Sequence, residues 1–200
     1  MSDNNTKNNA NDTEFVKKNI LPVLMDVAIA IGIMFVVFMF IFRLAIVEGS
    51  SMYNTLVDGD YVLLLNSAIT GEPEPGDIIV ASKSTYDDGK AIIKRVIATE
   101  GQKVDINFTT GVVTVDGVAL DEPYIHSVTD DFEGVHFPLV VDEGCVFVLG
   151  DNRGVSKDSR HPDIGLIDCR EIVGKAIFLL FPGKDPAISG YDFGRIGAIS

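Results

Sequence analysis

Hydrophobic and polar positions divide the chain into three stretches of different texture. Met1 to Thr13 is rich in Asn and Asp and almost free of large apolar side chains, so it cannot bury enough surface to offset its ordering entropy. A disordered tail is expected over residues 1–19. From Ile20 to Val47 the chain is strongly apolar, and Val27 to Phe42 carries no charge. Crossing a bilayer core takes roughly 20 apolar residues in a helix. Leu21, Val23 and Leu24 before the uncharged run, with Leu44, Ala45 and Ile46 after it, complete that length. Asp26 and Arg43 stand near the ends, where polar groups reach the interface. The pattern predicts a membrane anchor over residues 20–47. A cleaved signal sequence is the first rival, but the run is long for its apolar region and no small-x-small cleavage pattern follows closely. A buried core helix is the second, and nothing else in the chain can wrap it on all sides. Lys17 and Lys18 precede the span, while Arg43 alone follows it, with Glu48 next. The positive-inside rule then keeps the tail in the cytoplasm and sends residues 48–200 across the membrane.

Past Asp60 the texture changes to short apolar runs broken by turn residues. Asp60–Leu65, Asp77–Ala81, Ala91–Thr99, Lys103–Phe108, Gly111–Val115, Val140–Val141, Cys145–Leu149 and Glu171–Phe181 are rich in Val, Ile and Phe and read as strands. Glu72-Pro73-Glu74-Pro75-Gly76, Asp87-Asp88-Gly89 and Phe181-Pro182-Gly183 are breakers, and Thr109-Thr110-Gly111 with Asp116-Gly117 brackets a hairpin. No convincing helical stripe follows the anchor. The expected fold class is mainly β: an antiparallel β-barrel or folded sheet preceded by one N-terminal transmembrane helix. Asp121–Val135 is polar and turn-rich, and the sequence assigns no role to the tail from Asp185 to Ser200.

The 200 residues leave room for one soluble domain of about 150 residues beside the anchor. Sixteen Lys and Arg stand against 29 Asp and Glu, a net charge of −13, which argues against nucleic acid as a partner because phosphates are neutralised by clustered cations. Cys145 and Cys169 are too few for a disulfide framework. Packed thiols are the default reading, and a single bridge between neighbouring strands is the alternative. Neither has the spacing of a metal or redox site, and no metal or cofactor is implied.

Candidate chemistry centres on Gly49-Ser50-Ser51-Met52-Tyr53-Asn54-Thr55-Leu56. Small residues before Ser51 let a ligand approach the backbone, and Met52 and Leu56 flank the hydroxyl with apolar surface. An ordinary Ser-rich turn after an anchor is the plainer reading. A serine hydroxyl needs a partner to take its proton. His126, His136 and His161 lack metal-ligand spacing and read as loop or surface imidazoles. Lys94 is the better candidate. It lies in Ala91-Ile92-Ile93-Lys94-Arg95-Val96-Ile97, where strand alternation puts Lys94 and Arg95 on opposite faces and sends one of the two cations toward packed apolar surface. Desolvation lowers the pKa of such an ammonium and yields a neutral amine able to accept the serine proton. The alternative is an edge strand with both side chains snorkelling to solvent.

The segments around Ser51, Lys94 and Gly150 together resemble the type I signal peptidase family, membrane-anchored proteases with a Ser/Lys dyad. Ser51-Met52-x-x-Thr55-Leu56 resembles the nucleophile box, and Lys94-Arg95-Val96-Ile97 the box bearing the lysine. Gly150-Asp151-Asn152-Arg153-x-x-Ser156-x-Asp158-Ser159-Arg160 is similar to the last box, and Pro75-Gly76-Asp77-Ile78-Ile79-Val80 to the Gly-Asp strand. The resemblance runs from about Ala45 to Pro182 and includes the span. It implies that Ser51 acylates, that Lys94 is the general base, and that Ser156 hydrogen-bonds and orients the Lys94 amine. It further implies a supporting ion pair between Asp158 and Arg160, with Asp151 and Arg153 shaping the same loop. The Ser51 N–H is one implied oxyanion donor. At the second position stands Gly49, where some relatives place a serine, so a backbone or water donor must serve. Asn54 replaces the usual proline, from which a more mobile nucleophile loop is expected, and Ala98-Thr99-Glu100-Gly101 departs from the usual Gly-Leu-Pro-Gly.

By the same resemblance Val47, Met52, Leu56, Ile92 and Ile93 form a shallow apolar wall that accepts small side chains before the cut, with the peptide added alongside the Lys94 strand. The implied partners are secretory preproteins, membrane lipid and a secretion translocon. Two other classes compete: a self-cleaving Ser/Lys regulator, and a non-enzymatic anchored β domain in which Ser51 and Lys94 are structural.

Overall fold

The structure, a computed structural model, describes residues 20–83 and 86–199 apart from the Asp88 side chain. The tail expected over residues 1–19 lies outside the described residues. The chain divides into two units, Met1–Ile41 and Phe42–Ser200. In the first, helix α1 (Leu21–Ile41) is apolar on every side and has no buried residue. Its 21 residues give a length of about 32 Å at 1.5 Å per residue, enough for a hydrocarbon core of about 30 Å.

The apolar span does not stay helical to Val47 as expected. It ends at Ile41, and Phe42–Ile46 forms strand β1, paired antiparallel with β2 (Tyr61–Asn66) from Phe42 opposite Leu65 to Ile46 opposite Tyr61. Hydropathy reads an apolar strand and an apolar helix alike. Here the main-chain groups of β2 supply the partner that draws these five residues out of the helix.

The second unit is antiparallel β, as the alternating runs predict. After β2 come the one-turn helix α2 (Ser67–Thr70), β3 (Ile78–Ser82), β4 (Ala91–Thr99), β5 (Lys103–Asn107), β6 (Val112–Val115), β7 (Val118–Ala119) and β8 (Leu139–Val140). They are followed by β9 (Cys145–Leu149), β10 (Ile167–Asp168), β11 (Ile172–Phe181), β12 (Lys184–Asp185), β13 (Gly190–Tyr191) and β14 (Gly197–Ala198). The main sheet runs β1-β2-β11-β3-β4-β9-β10, with β14 also on β11. A satellite sheet runs β7-β6-β5-β8, and β12 pairs with β13. The hairpin at Asp116-Gly117 joins β6 to β7 with positive φ at both turn residues, +52° and +80°, the geometry a two-residue hairpin favours.

Side-chain alternation on β3 explains why the main sheet is apolar on both faces. Ile78 and Val80 enter a core with Val47, Met52, Leu56, Val62, Leu64, Ala176 and Leu179. Ile79 and Ala81 enter another with Val96, Val146, Val148, Ile164, Ile167 and Ile172. A third core joins Val104, Ile106, Val113 and Val115 of the satellite sheet to Phe147 and Leu149. The strand β4 therefore lies between cores, and that placement makes its two cations unusual.

Candidate active site

Both Lys94 and Arg95 are buried, at 4% and 2% exposure. Alternation sends one of the two cations toward packed surface, and the structure buries both, each with its own compensation. Arg95 donates from Nε and Nη2 to the two oxygens of the fully buried Asp151 carboxylate at 2.9 and 2.8 Å, a bidentate pair. Its guanidinium also lies 4.0 Å from the centre of the Tyr124 ring. Among the described residues no carboxylate lies within ion-pair reach of Lys94. Its Nζ lies 2.8 Å from Ser51 Oγ and donates to the Ile93 carbonyl at 2.9 Å. Burial pushes the Lys94 pKa down to about 8, against the opposing pull of Asp158, Asp151 and Glu133. At pH 7 about one amine in ten is then neutral, against fewer than one in a thousand for an ordinary lysine, and a neutral amine can accept the hydroxyl proton.

The Ser51 turn is fixed at both ends. Val47 N–H donates to Asp60 O at 2.9 Å, and Gly59 N–H donates to Val47 O at 2.8 Å. Within the turn, Leu56 N–H donates to Met52 O at 2.8 Å. The loop after β9 grips the turn from the side: Asn152 N–H donates to Ser51 O at 2.9 Å, and Asn152 Nδ2 to Ser50 O at 3.1 Å. Close packing at Gly150 makes that grip possible. A Cβ there would lie 2.1 Å from Ser156 Oγ and 2.5 Å from Ser51 O.

The same loop folds around three buried charges. Arg160 donates from Nε and Nη2 to the two Asp158 oxygens at 2.9 and 3.0 Å, and Nη2 also reaches Glu133 at 3.0 Å. Asp158 in turn accepts the Gly150 N–H at 3.0 Å. Arg153 donates to Gly150 O at 2.9 Å, to Thr129 and to Glu122. Burial raises the Glu133 pKa to about 7, although the Arg160 guanidinium favours its ionised form. Among the described residues no cluster of three or more His, Cys, Asp or Glu side chains is placed to hold a metal ion.

A comparison with protein families matches residues 20–181 to the family described as signal peptidase, peptidase S26. The chain belongs to that family. Signal peptidase IB of Staphylococcus aureus strain COL is 37% identical, over 84% of this chain and 92% of the relative. Signal peptidase I of Bacillus amyloliquefaciens is 36% identical, over 80% of this chain and 84% of that one. Among solved structures, a signal peptidase I from Enterococcus faecalis V583 is 29% identical with a TM-score of 0.42, covering 52% of this chain and 96% of that chain. The chain is accordingly a membrane-anchored serine peptidase of the signal peptidase type, and neither the self-cleaving regulator nor the non-enzymatic β domain is supported.

Measured against the signal peptidase expectation, the structure brings Ser51 and Lys94 together and pairs Asp158 with Arg160. Asp151 and Arg153 do shape the loop, but through Arg95 and Glu122 rather than through each other. Three expectations need correction. Ser156 Oγ is buried without a hydrogen-bond partner among the described residues, so it does not hold the Lys94 amine; the Ile93 carbonyl does. Gly49 N–H donates to Asp58 Oδ1 at 2.7 Å and is committed away from any oxyanion. Met52 and Leu56 are fully buried in the core and do not line the cleft beside Ser51, because the turn points both side chains inward. Val47, Ile92 and Ile93 do line it, joined by Ala45, Val62 and Val80, around a volume of about 440 Å³. At the departure from the family pattern, Asn54 Oδ1 meets His126 Nδ1 at 3.0 Å, and the preceding peptide bond is cis. The Cys145 and Cys169 thiols are free. The missed partners Arg95, Glu122 and Glu133 had one signal in the sequence: buried cations on an apolar strand and loop demand carboxylates from elsewhere.

Proposed function

We propose that this protein removes signal peptides from exported precursors, with Ser51 as the acylating nucleophile and Lys94 as general base. The observation that carries the proposal is the 2.8 Å approach of Lys94 Nζ to Ser51 Oγ in a cleft partly walled by Ala45, Val47, Val80, Ile92 and Ile93. Lys94 accepts the hydroxyl proton as Ser51 Oγ bonds to the scissile carbonyl, and the resulting ammonium returns a proton to the departing amine. A water then attacks the Ser51 ester, with Lys94 again taking its proton. The Ser51 main-chain N–H is an oxyanion donor. Asp158, Arg160, Asp151 and Arg153 hold the loop that pins Ser51.

Ala45, Val47, Val80, Ile92 and Ile93 leave space for small side chains next to the cut. The Ala91–Lys94 half of β4 pairs with β3 on one side, while β9 pairs only from Arg95 onward. An extended precursor segment adds along that remaining edge. A cytoplasmic N-terminus and an extracytoplasmic β unit are supported by the two lysines before α1 against one arginine after it. There, lipid, preproteins and a secretion translocon are its partners. Incubation of detergent-solubilised protein with a secretory precursor tests the proposal: wild type yields the shortened product, and Ser51→Ala and Lys94→Ala do not. Product formation by either variant at the wild-type rate refutes it.

A further inference from the structure

The segment after Phe181 lies beyond the family match yet folds back on the turn that carries Ser51. Its entry is flush with that turn, since a Cβ on Gly183 would stand 2.1 Å from Asp58 O. The meeting point is Asp60, a fully buried carboxylate. It accepts the main-chain N–H groups of Val57 at 2.8 Å and Gly183 at 2.6 Å. Arg195 supplies the charge, with Nη2 at 2.7 Å from Oδ2 and Nη1 at 3.1 Å from Oδ1. The same Nη2 donates to the Thr55 carbonyl at 3.0 Å.

Thr55 passes this contact onward. Its hydroxyl donates to Asp151 Oδ2 at 2.5 Å, and Asp151 holds Arg95, the neighbour of Lys94 in β4. Polar contacts therefore run without a gap from Arg195 through Thr55 and Asp151 to the strand that carries the amine. Thr55 is four residues from Ser51 in a turn closed by the bond from Leu56 N–H to Met52 O. Displacing Thr55 displaces the hydroxyl relative to Lys94.

We infer that Arg195 is a positioning residue, holding the Ser51 turn in register with Lys94 through Asp60 and the Thr55 carbonyl. The inference rests on the proposed roles of Ser51 and Lys94. A guanidinium suits the task because its planar fork reaches both Asp60 oxygens and a third acceptor at once, which an ammonium cannot do. Near-attack geometry is steep, and a displacement of about 1 Å costs up to roughly 100-fold in rate.

Precursor cleavage by the full chain in detergent tests this, with each variant assayed well below its own Tm. Arg195→Ala is expected to lower kcat about 10-fold or more, with KM within about twofold, and added ethylguanidinium is expected to restore part of the loss. Arg195→Lys keeps a cation on buried Asp60 and so preserves the fold; its kcat falls between the two. Should Arg195→Ala fail to fold, Arg195→Lys decides alone. A wild-type kcat in Arg195→Lys, or a change confined to Tm or KM, overturns the inference. Ser51→Ala and Lys94→Ala run alongside: activity in either sinks the site reading itself, whatever the Arg195 variants do.

Discussion

Replacing Lys94 with methionine is expected to abolish cleavage and yet stabilise the fold at neutral pH. Burial takes the Lys94 pKa from 10.5 to about 8. At about 1.4 kcal/mol per pKa unit, the folded state carries a penalty of about 3 kcal/mol whenever the amine must be charged. Methionine fills similar volume without that charge. It loses the Nζ hydrogen bonds to the Ile93 carbonyl and to Ser51 Oγ, which together take back about 2 kcal/mol. The net gain is about 1 kcal/mol below pH 8, or roughly 2–4 °C in Tm for a domain of this size. The sign reverses with alkalinity. Below about 8 the lysine is protonated in both states and the penalty is complete. Between about 8 and 10.5 the unfolded chain binds the proton that the folded chain has released, so wild-type stability rises with pH and the advantage of methionine disappears. Wild-type cleavage rises over the lower part of the same window, since the neutral amine is the active form. Thermal and denaturant unfolding of the two proteins in one detergent, at pH 7 and pH 10, measures the gap, and a precursor assay gives the rate. A Lys94→Met protein that is less stable at pH 7, or a gap that does not change with pH, refutes the argument.

Three further outcomes follow from packing. Gly150→Ala drives a methyl into Ser156 and the Ser51 carbonyl, so kcat should fall at least about 10-fold; a wild-type rate refutes the close approach. Ser156→Ala removes a buried hydroxyl that has no partner and is expected to leave Tm unchanged or raise it by a few degrees. A clear drop in Tm shows instead that the hydroxyl is bonded. Met52→Ala opens a core cavity and should cost about 2–5 kcal/mol by denaturant unfolding, with KM little changed; a raised KM at unchanged stability returns Met52 to the cleft wall.

Much of the site could be read in advance because its chemistry is local. Lys94 stands alone with Arg95 in an apolar strand, and the Gly150–Arg160 loop has a density of charged and hydroxyl groups that an ordinary turn does not need. What escaped is long-range or directional. That Asp151 belongs to Arg95, Glu122 to Arg153 and Glu133 to Arg160 depends on how distant segments meet, which residue type alone does not encode. Met52 and Leu56 have the composition of a pocket wall, but their four-residue spacing within one turn aims both inward. The end of the helix is not legible in hydropathy because Phe42–Ile46 is nearly as apolar as the helix before it, and only the pairing with β2 separates them. Arg195 sits in a segment with no periodicity at all, so its partner Asp60 emerges only from the fold.

Strand β4 carries one more consequence. Because Ala91, Ile92, Ile93, Val96, Ile97 and Ala98 are apolar on both faces, hydrophobic content alone tolerates a slip of one position along β3. The adjacent cations do not. A slip would hand the hydroxyl to a guanidinium, which stays protonated and inert as a base, and would leave Asp151 with an ammonium that cannot match its two oxygens. Only the observed alignment, Lys94 opposite Ile79 and Arg95 opposite Ile78, satisfies both. The pair of charges thus proofreads the assembly of the sheet, so that a correctly zipped strand and a competent enzyme are one and the same state.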